Sequence, residues 1–404
     1  MSRILPLAGP SRVLALAQLA NSIGDGAFYA CSALFFTRVV GLSATRVGLA
    51  LTIGWACGML AGVPLGYVAD RWGPRRTTIV LALATAATIG TFLLVRSFAP
   101  LVAVMCLYAC CQGGLTSARQ ALLAALVRPD ERTRVRAHLQ STLNAGLALG
   151  AGLGGLALYF DTRAAYLTVL AMDAVAFVIA AFVLRRLPEP ERATTPSEPL
   201  PPGRWGVLQD RPYALVTLLS AVMYLNMPLL SLGLPLWIVH STEAPKAMAA
   251  VLLMVNMVTV VVFQVRVARP VKDMASAVRA TRWAGWLMLA ACGVYAVSGT
   301  EMGIYAAVAV LVVAALIQVF GEMLQGAGGW ELGFGLAPSD RQGQYQGFFG
   351  MAPQLARMLG PLVLTTLLIG WGTAGWFVLG GLFLLAGLAF GPVVRHATAS
   401  RACP

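Results

Sequence analysis

Charge is what this sequence has least of. Only 11% of its 404 residues are Asp, Glu, Lys or Arg, and 58% are hydrophobic, whereas an ordinary soluble domain carries about a quarter charged residues. No soluble core absorbs that composition. Lysine is almost missing: of 29 basic residues only Lys246 and Lys272 are Lys. Arginine in place of lysine, with abundant Ala and Gly, points to a GC-rich bacterial genome. Histidine is scarce too, with His138, His240 and His396 scattered along the chain. The seven cysteines include Cys31, Cys57, Cys106, Cys110, Cys111 and Cys292 inside apolar runs and Cys403 near the end. They have neither metal spacing nor the pairing of a disulfide framework. G-x-x-x-x-G-K-[ST], H-E-x-x-H and G-x-S-x-G are all absent, so ATP-driven transport by this chain alone and membrane hydrolase chemistry are unsupported. No enzyme activity, cofactor or metal is expected.

What is present is one apolar run after another. A helix needs about 20 apolar residues to cross the roughly 30 Å hydrocarbon layer. Runs ended by charge or by Pro and Gly give spans near 13–37, 47–69, 77–96, 98–124, 137–159 and 164–184, then 213–238, 247–267, 283–298, 302–325, 346–370 and 373–394. The opening MSRILPLAGPSR looks like a signal n-region, but the apolar stretch behind it is too long and lacks an A-x-A site, so it reads as a retained first span. PEPERATTPSEPLPPGR separates the two sets and is too polar to enter lipid. The chain is therefore expected to be an all-α polytopic membrane protein of twelve transmembrane helices in two pseudo-symmetric six-helix bundles. Its parts are residues 1–184, a cytoplasmic linker at 185–212, and 213–404.

The net charge of +13 belongs to short clusters between apolar runs, so its partner is a membrane surface and not nucleic acid. The N-terminus, the even-to-odd loops and the C-terminus hold 22 of the 29 basic residues; the opposite loops hold Arg38, Arg46, Arg96, Arg163 and Lys246. Positive charge stays inside. Both termini are expected on the cytoplasmic side of a bacterial inner membrane.

The sharpest motif is Gly66-Tyr67-Val68-Ala69-Asp70-Arg71-Trp72-Gly73-Pro74-Arg75-Arg76, at the end of span two. Gly66 lets a helix approach closely, Gly73 permits a tight turn, and Arg71, Arg75 and Arg76 hold the loop in the cytoplasm. The run resembles the G-x-x-x-D-R-x-G-R-R signature of the major facilitator superfamily. That resemblance implies a carrier in which the carboxylate at Asp70 meets the start of span eleven and biases the outward-facing state. A loop that only fixes topology is the alternative. In span five, Gly146, Gly150, Gly154 and Gly155 resemble the family's antiporter motif G-x-x-x-G-P-x-x-G-G, with Ala151 where the family has Pro. A plain packing face is the other reading there. In span four, Tyr108-Ala109-Cys110-Cys111-Gln112-Gly113 follows R-x-x-Q-G with Ala109 in place of arginine. Arg119 lies on the same face, as a substitute or as an anchor of the helix end.

Polar stripes recur at every third span. They comprise Gln18, Asn21, Asp25, Tyr29 and Ser32 in span one; Tyr108, Gln112 and Arg119 in span four; Ser220, Tyr224 and Ser231 in span seven; and Gln318, Glu322 and Gln325 in span ten. The resemblance implies that these four spans line a central substrate cavity. Tyr-Leu-Asn-Met-Pro at 224–228, containing Asn226, predicts a broken helix. Asp25 falls near mid-membrane, where an ionised carboxylate is expensive, and is the expected proton or cation site, with a structural carboxylate as the alternative. Arg357 in span eleven should seek a carboxylate or an anionic substrate, and Glu322 is one candidate partner, although depth places it lower. Asp173 in span six is expected to be structural. The resulting expectation is a monomeric, proton-coupled antiporter that exports an amphipathic small molecule, with protons, substrate and the bilayer as its partners. Uptake of a small metabolite, with Arg357 binding a carboxylate, is the alternative, and a non-transporting sensor or scaffold a third.

Overall fold

Helix starts are written plainly into the chain. Proline occupies the first turn of the helices beginning at Pro10, Pro74, Pro129 and Arg211, where its missing N–H costs nothing. Ser43, Thr162 and Asp210 are N-caps, accepting the backbone N–H of Arg46, Ala165 and Tyr213. Asp273 and Ser276 form a reciprocal capping box. Gly73 turns the chain between two helices at φ +102°, a conformation that side chains resist.

The computed structural model describes residues 9–190 and 206–402. Positions 1–8, 191–205 of the expected linker, and Cys403 lie outside the described residues. Twelve long helices run through the rest: α1 Pro10–Leu34, α2 Ala44–Trp72, α3 Pro74–Phe92, α4 Phe98–Leu126, α5 Pro129–Phe160, α6 Arg163–Leu184, α7 Arg211–Ser241, α8 Met248–Ala268, α9 Met274–Val297, α10 Ile304–Gly335, α11 Gln342–Gly370 and α12 Thr373–Ala402. Three spans carry a π-helical stretch, at Phe35–Val39 after α1, Leu229–Gly233 within α7 and Thr365–Gly370 at the end of α11. The α-helical ladder of α7 breaks at Tyr224–Leu225, where the Tyr-Leu-Asn-Met-Pro run predicts it.

Several helices outrun their apolar runs. α10 continues ten residues past the expected end at 325, α9 begins at Met274 and not 283, and α5 begins at Pro129 and not 137. For α5 and α9 the reason is physical: an apolar run marks only the length that must sit in lipid, while the helix goes on into charged turns. The added turns of α10, residues 326–334, are instead buried in protein. By length and hydropathy, nine helices among the described residues are able to cross a membrane. α1, α3 and α9 fall short because they carry Gln18, Asn21 and Asp25; Arg75, Arg76, Thr77 and Thr78; and Arg279 and Arg282.

The described residues fall into two compact units. The first comprises residues up to 206 together with 337–350; the second comprises 207–336 and 351 onwards. In the first, α1 packs on α5 and α6, α2 on α4, and α3 on α4 and α6, and the opening turns of α11, Gln342–Phe349, pack on α2 and α4. In the second, α7 packs on α11 and α12, α8 on α10, and α9 on α10 and α12. Adding six to each helix number of the first set of neighbours yields the second, as an internal duplication requires.

Candidate coupling site

Two rungs of polar side chains join α1 to α4. Gln112 Nε2 donates to Asp25 Oδ1 at 3.1 Å and to the Tyr108 hydroxyl at 3.0 Å. Arg119 Nη1 donates to Gln18 Oε1 at 3.0 Å. The helices are antiparallel, so stepping from Asp25 back to Gln18 matches stepping from Gln112 on to Arg119, and the rungs are roughly 10 Å apart at 1.5 Å rise per residue. Asp25 is half-buried and Tyr29, one turn on, is exposed. Phe28 and Phe92 close an aromatic wall around Tyr108. The site thus offers an acid held by a neutral amide, with a guanidinium at its far end and apolar rings beside it. That combination suits a cationic or protonated group attached to an apolar body.

The tight approach of α1 to α5 comes from glycine. A methyl group at Gly146, Gly150 or Gly154 would overlap Ser22, the Ile23 carbonyl and Ala30 respectively, while one at Gly155 meets nothing within 4 Å. So three of the four motif glycines are packing contacts and Gly155 is not.

At the end of α2, Asp70 accepts the backbone N–H of Gly343 at 2.6 Å and of Gln344 at 2.8 Å. These are orphan donors of the first turn of α11, where negative charge is favoured. Gly66 lies against the Gly343 carbonyl, with no room for a side chain, and Gly62 against Gly347. The arginines of the loop hold other partners. Arg71 bonds the Tyr67 hydroxyl at 3.3 Å, Arg75 bonds Glu189 at 3.1 Å and the Arg185 carbonyl, and Arg76 lies 3.7 Å from Glu189.

In the second unit, Gln318 accepts from the Tyr295 hydroxyl at 2.9 Å and reaches the Asn226 carbonyl at 3.5 Å. Asn226 is buried beside the break in α7, its Nδ2 bonded to the Met223 carbonyl at 2.9 Å. Glu322 accepts from Asn256 Nδ2 at 2.8 Å. Trp237 and Trp376 meet edge to face, and Trp376 stacks on Tyr295.

A family model described as Major Facilitator Superfamily matches residues 14–361. The chain belongs to that superfamily. Multidrug resistance protein MdtH of Salmonella arizonae is 27% identical over 217 residues, and the protein of that name from Shigella sonnei 29% identical over 214. Each match covers 52% of this chain and 52% of the relative, so the chain aligns with about half the length of the curated relatives it matches. Among solved structures, a bacterial homologue of the iron transporter ferroportin in the outward-facing state superposes with TM-score 0.72 at 18% identity, over 97% of this chain and all of the other. The human organic anion transporter MFSD10 (TETRAN) superposes with 0.69 at 18% identity, over 95% of this chain and all of the other. At these identities the structures speak for the fold alone; the apolar helices and the family make the chain a multi-pass membrane protein.

Set in that superfamily, the predicted site residues divide. The structure brings Asp25, Tyr108, Gln112, Gln18 and Arg119 into the two rungs, and Asp70 with Gly66 to the start of α11. It joins Gln318 to Asn226 within the second unit. It does not pair Arg357 with Glu322. Arg357 stands on an exposed face of α11 beside Met358 and Leu359, with no ion pair among the described residues, and Glu322 is held by Asn256. Asn21 is buried without a partner, and Tyr224 marks the break in α7. Sequence reasoning missed Asn256 and Tyr295, whose helices carry no polar stripe.

Proposed function

We propose that this superfamily member is a proton-driven exporter of amphipathic, cationic small molecules in a bacterial inner membrane, working as a monomer with both termini cytoplasmic. The observation that carries the reading is Asp25. It is the partly accessible acid midway along α1, held by Gln112 and Tyr108 and without a cation in ion-pair contact among the described residues. A carboxylate there binds a cation or a proton, and competition between the two is what exchange requires. The name of the MdtH relatives supports a drug as cargo. The bond of Asp70 to the α11 terminus supports a role in setting the balance between states.

The test is ethidium accumulation in efflux-deficient bacteria that make wild type or Asp25→Asn at matched membrane levels, with and without a protonophore. The expected result is lowered accumulation with wild type, abolished both by the protonophore and by Asp25→Asn. Wild type equal to empty vector rejects broad cation efflux.

A further inference from the structure

Two side chains on the α1 and α6 seam are buried completely and have no hydrogen-bond partner among the described residues. Neither polar atom of the Asn21 amide has a partner, and both carboxyl oxygens of Asp173 in α6 are bare. Asp173 occupies a notch in α1. A methyl group on Gly24 would overlap its Oδ1 and lie 3.0 Å from its Cα, so the carboxyl group sits where Gly24 has no side chain, one residue from Asp25. Asn21 precedes Gly24 by three residues and Asp25 by four, and on a helical projection falls between the notch and the face of Asp25.

The groups with a charge to offer here are few. Asp25 and Cys31 of α1 and Tyr108 of α4 face Asp173. Residues 77–92 of α3 and 139–158 of α5, the other helices packed on α6, contain no titratable side chain. No cation faces Asp173 itself; the guanidinium of Arg119, one rung away, acts on Asp25. An ionised carboxylate without hydrogen bonds or a counter-charge costs several kcal/mol in such a place, whereas the neutral acid does not. Two carboxyl groups this close also resist being charged together.

We propose that Asp173 is a second proton-binding residue, and that Asp25, Asn21 and Asp173 form one acid cluster inside the first unit that holds at most a single negative charge. When Asp25 is ionised against a cation, Asp173 keeps its proton. When Asp25 is protonated, the proton on Asp173 is free to leave. The use of this site in transport rests on the proton-driven reading above; its existence does not.

The experiment is infrared difference spectroscopy of the purified full-length protein between acid and alkaline pH, following the carbonyl stretch of a protonated carboxyl group, alongside ethidium and proton exchange in proteoliposomes. Wild type is expected to show such a band at neutral pH, Asp173→Asn to lose it, and Asp25→Asn to retain it with its titration moved to a different pH. Asp173→Glu keeps the acid and should keep a displaced band, which separates loss of the group from misfolding. Gly24→Ala leaves both acids present but pushes Asp173 off α1, so in that background Asp25→Asn should no longer move the titration. A band unaltered in Asp173→Asn overturns the proposal even if exchange of ethidium for protons is intact. A band lost in Asp173→Asn from a protein that does not move ethidium upholds the site and rejects the exporter reading.

Discussion

At the scale of single residues, the useful question about each polar group in lipid is what it bonds. Asp70 answers with two backbone N–H groups that no other element satisfies. Asp70→Ala therefore removes a cap as well as a charge, worth about 1–2 kcal/mol. The purified variant should melt several degrees lower, and Asp70→Asn, whose amide oxygen accepts one N–H, should recover part of the difference. Asp25 and Gln112 were legible in the sequence because a stripe at helical spacing identifies a wet face on each helix. The bond between them is set by the antiparallel register, which residue patterns do not carry. Asp173 reads as structural from the sequence because the family resemblance makes span six a peripheral helix; only the notch at Gly24 reveals what surrounds it. Arg357 misleads in the opposite way, since a lone cation in an apolar run looks buried until the face it occupies is known.

At the scale of elements, the α1 and α5 contact separates the glycines by role. Gly150→Ala drives a methyl group into the Ile23 carbonyl and Ala27 N and should destabilise by about 1–3 kcal/mol. Gly155→Ala enters open space and should be neutral or stabilising, by up to about 1 kcal/mol. Thermal denaturation of the two variants side by side checks the pair. Ala151 in place of the motif's Pro left the kink in doubt at the level of sequence, and α5 runs as one helix through this region. Close packing is thus kept by the glycines alone. At the start of α9, the backbone N–H and hydroxyl of Ser276 hold the Asp273 carboxyl below the usual carboxylate range. A depressed pKa means the cap contributes fully above the ordinary carboxylate value and fades as pH falls through the lowered one. Asp273→Asn should flatten that acid limb of the stability profile. Element existence was legible throughout; the starts of α5 and α9 were not, because arginine-bearing turns extend a helix without being apolar, nor was the end of α10, a glycine-rich stretch buried in protein.

At the scale of the whole molecule, the arginine bias predicts a sidedness that labelling checks. Tyr159 is 83% exposed at one end of the first unit, and the Arg76 side chain is 73% exposed at the other. A cysteine placed at Tyr159 should react with an impermeant maleimide in intact cells, and one at Arg76 only after permeabilisation. The repeated neighbour pattern, with helix numbers raised by six, shows why the twofold organisation was visible as two sets of spans although residue identity between them is faint: a duplication keeps which helix meets which longer than it keeps side chains. One stretch breaks that division. Residues 337–350 belong with the first unit by contact but with the second by sequence. The ribosome therefore finishes α1 to α6 long before it supplies the turn that caps Asp70. Through the synthesis of residues 207–336 the first unit waits in the membrane with that carboxylate unanswered, and it is complete only when most of the chain has been made. Order of synthesis and order of completion run in different sequence here, so a fragment ending at residue 206 should insert and yet remain short of its final stability until residues 337–350 are supplied in trans.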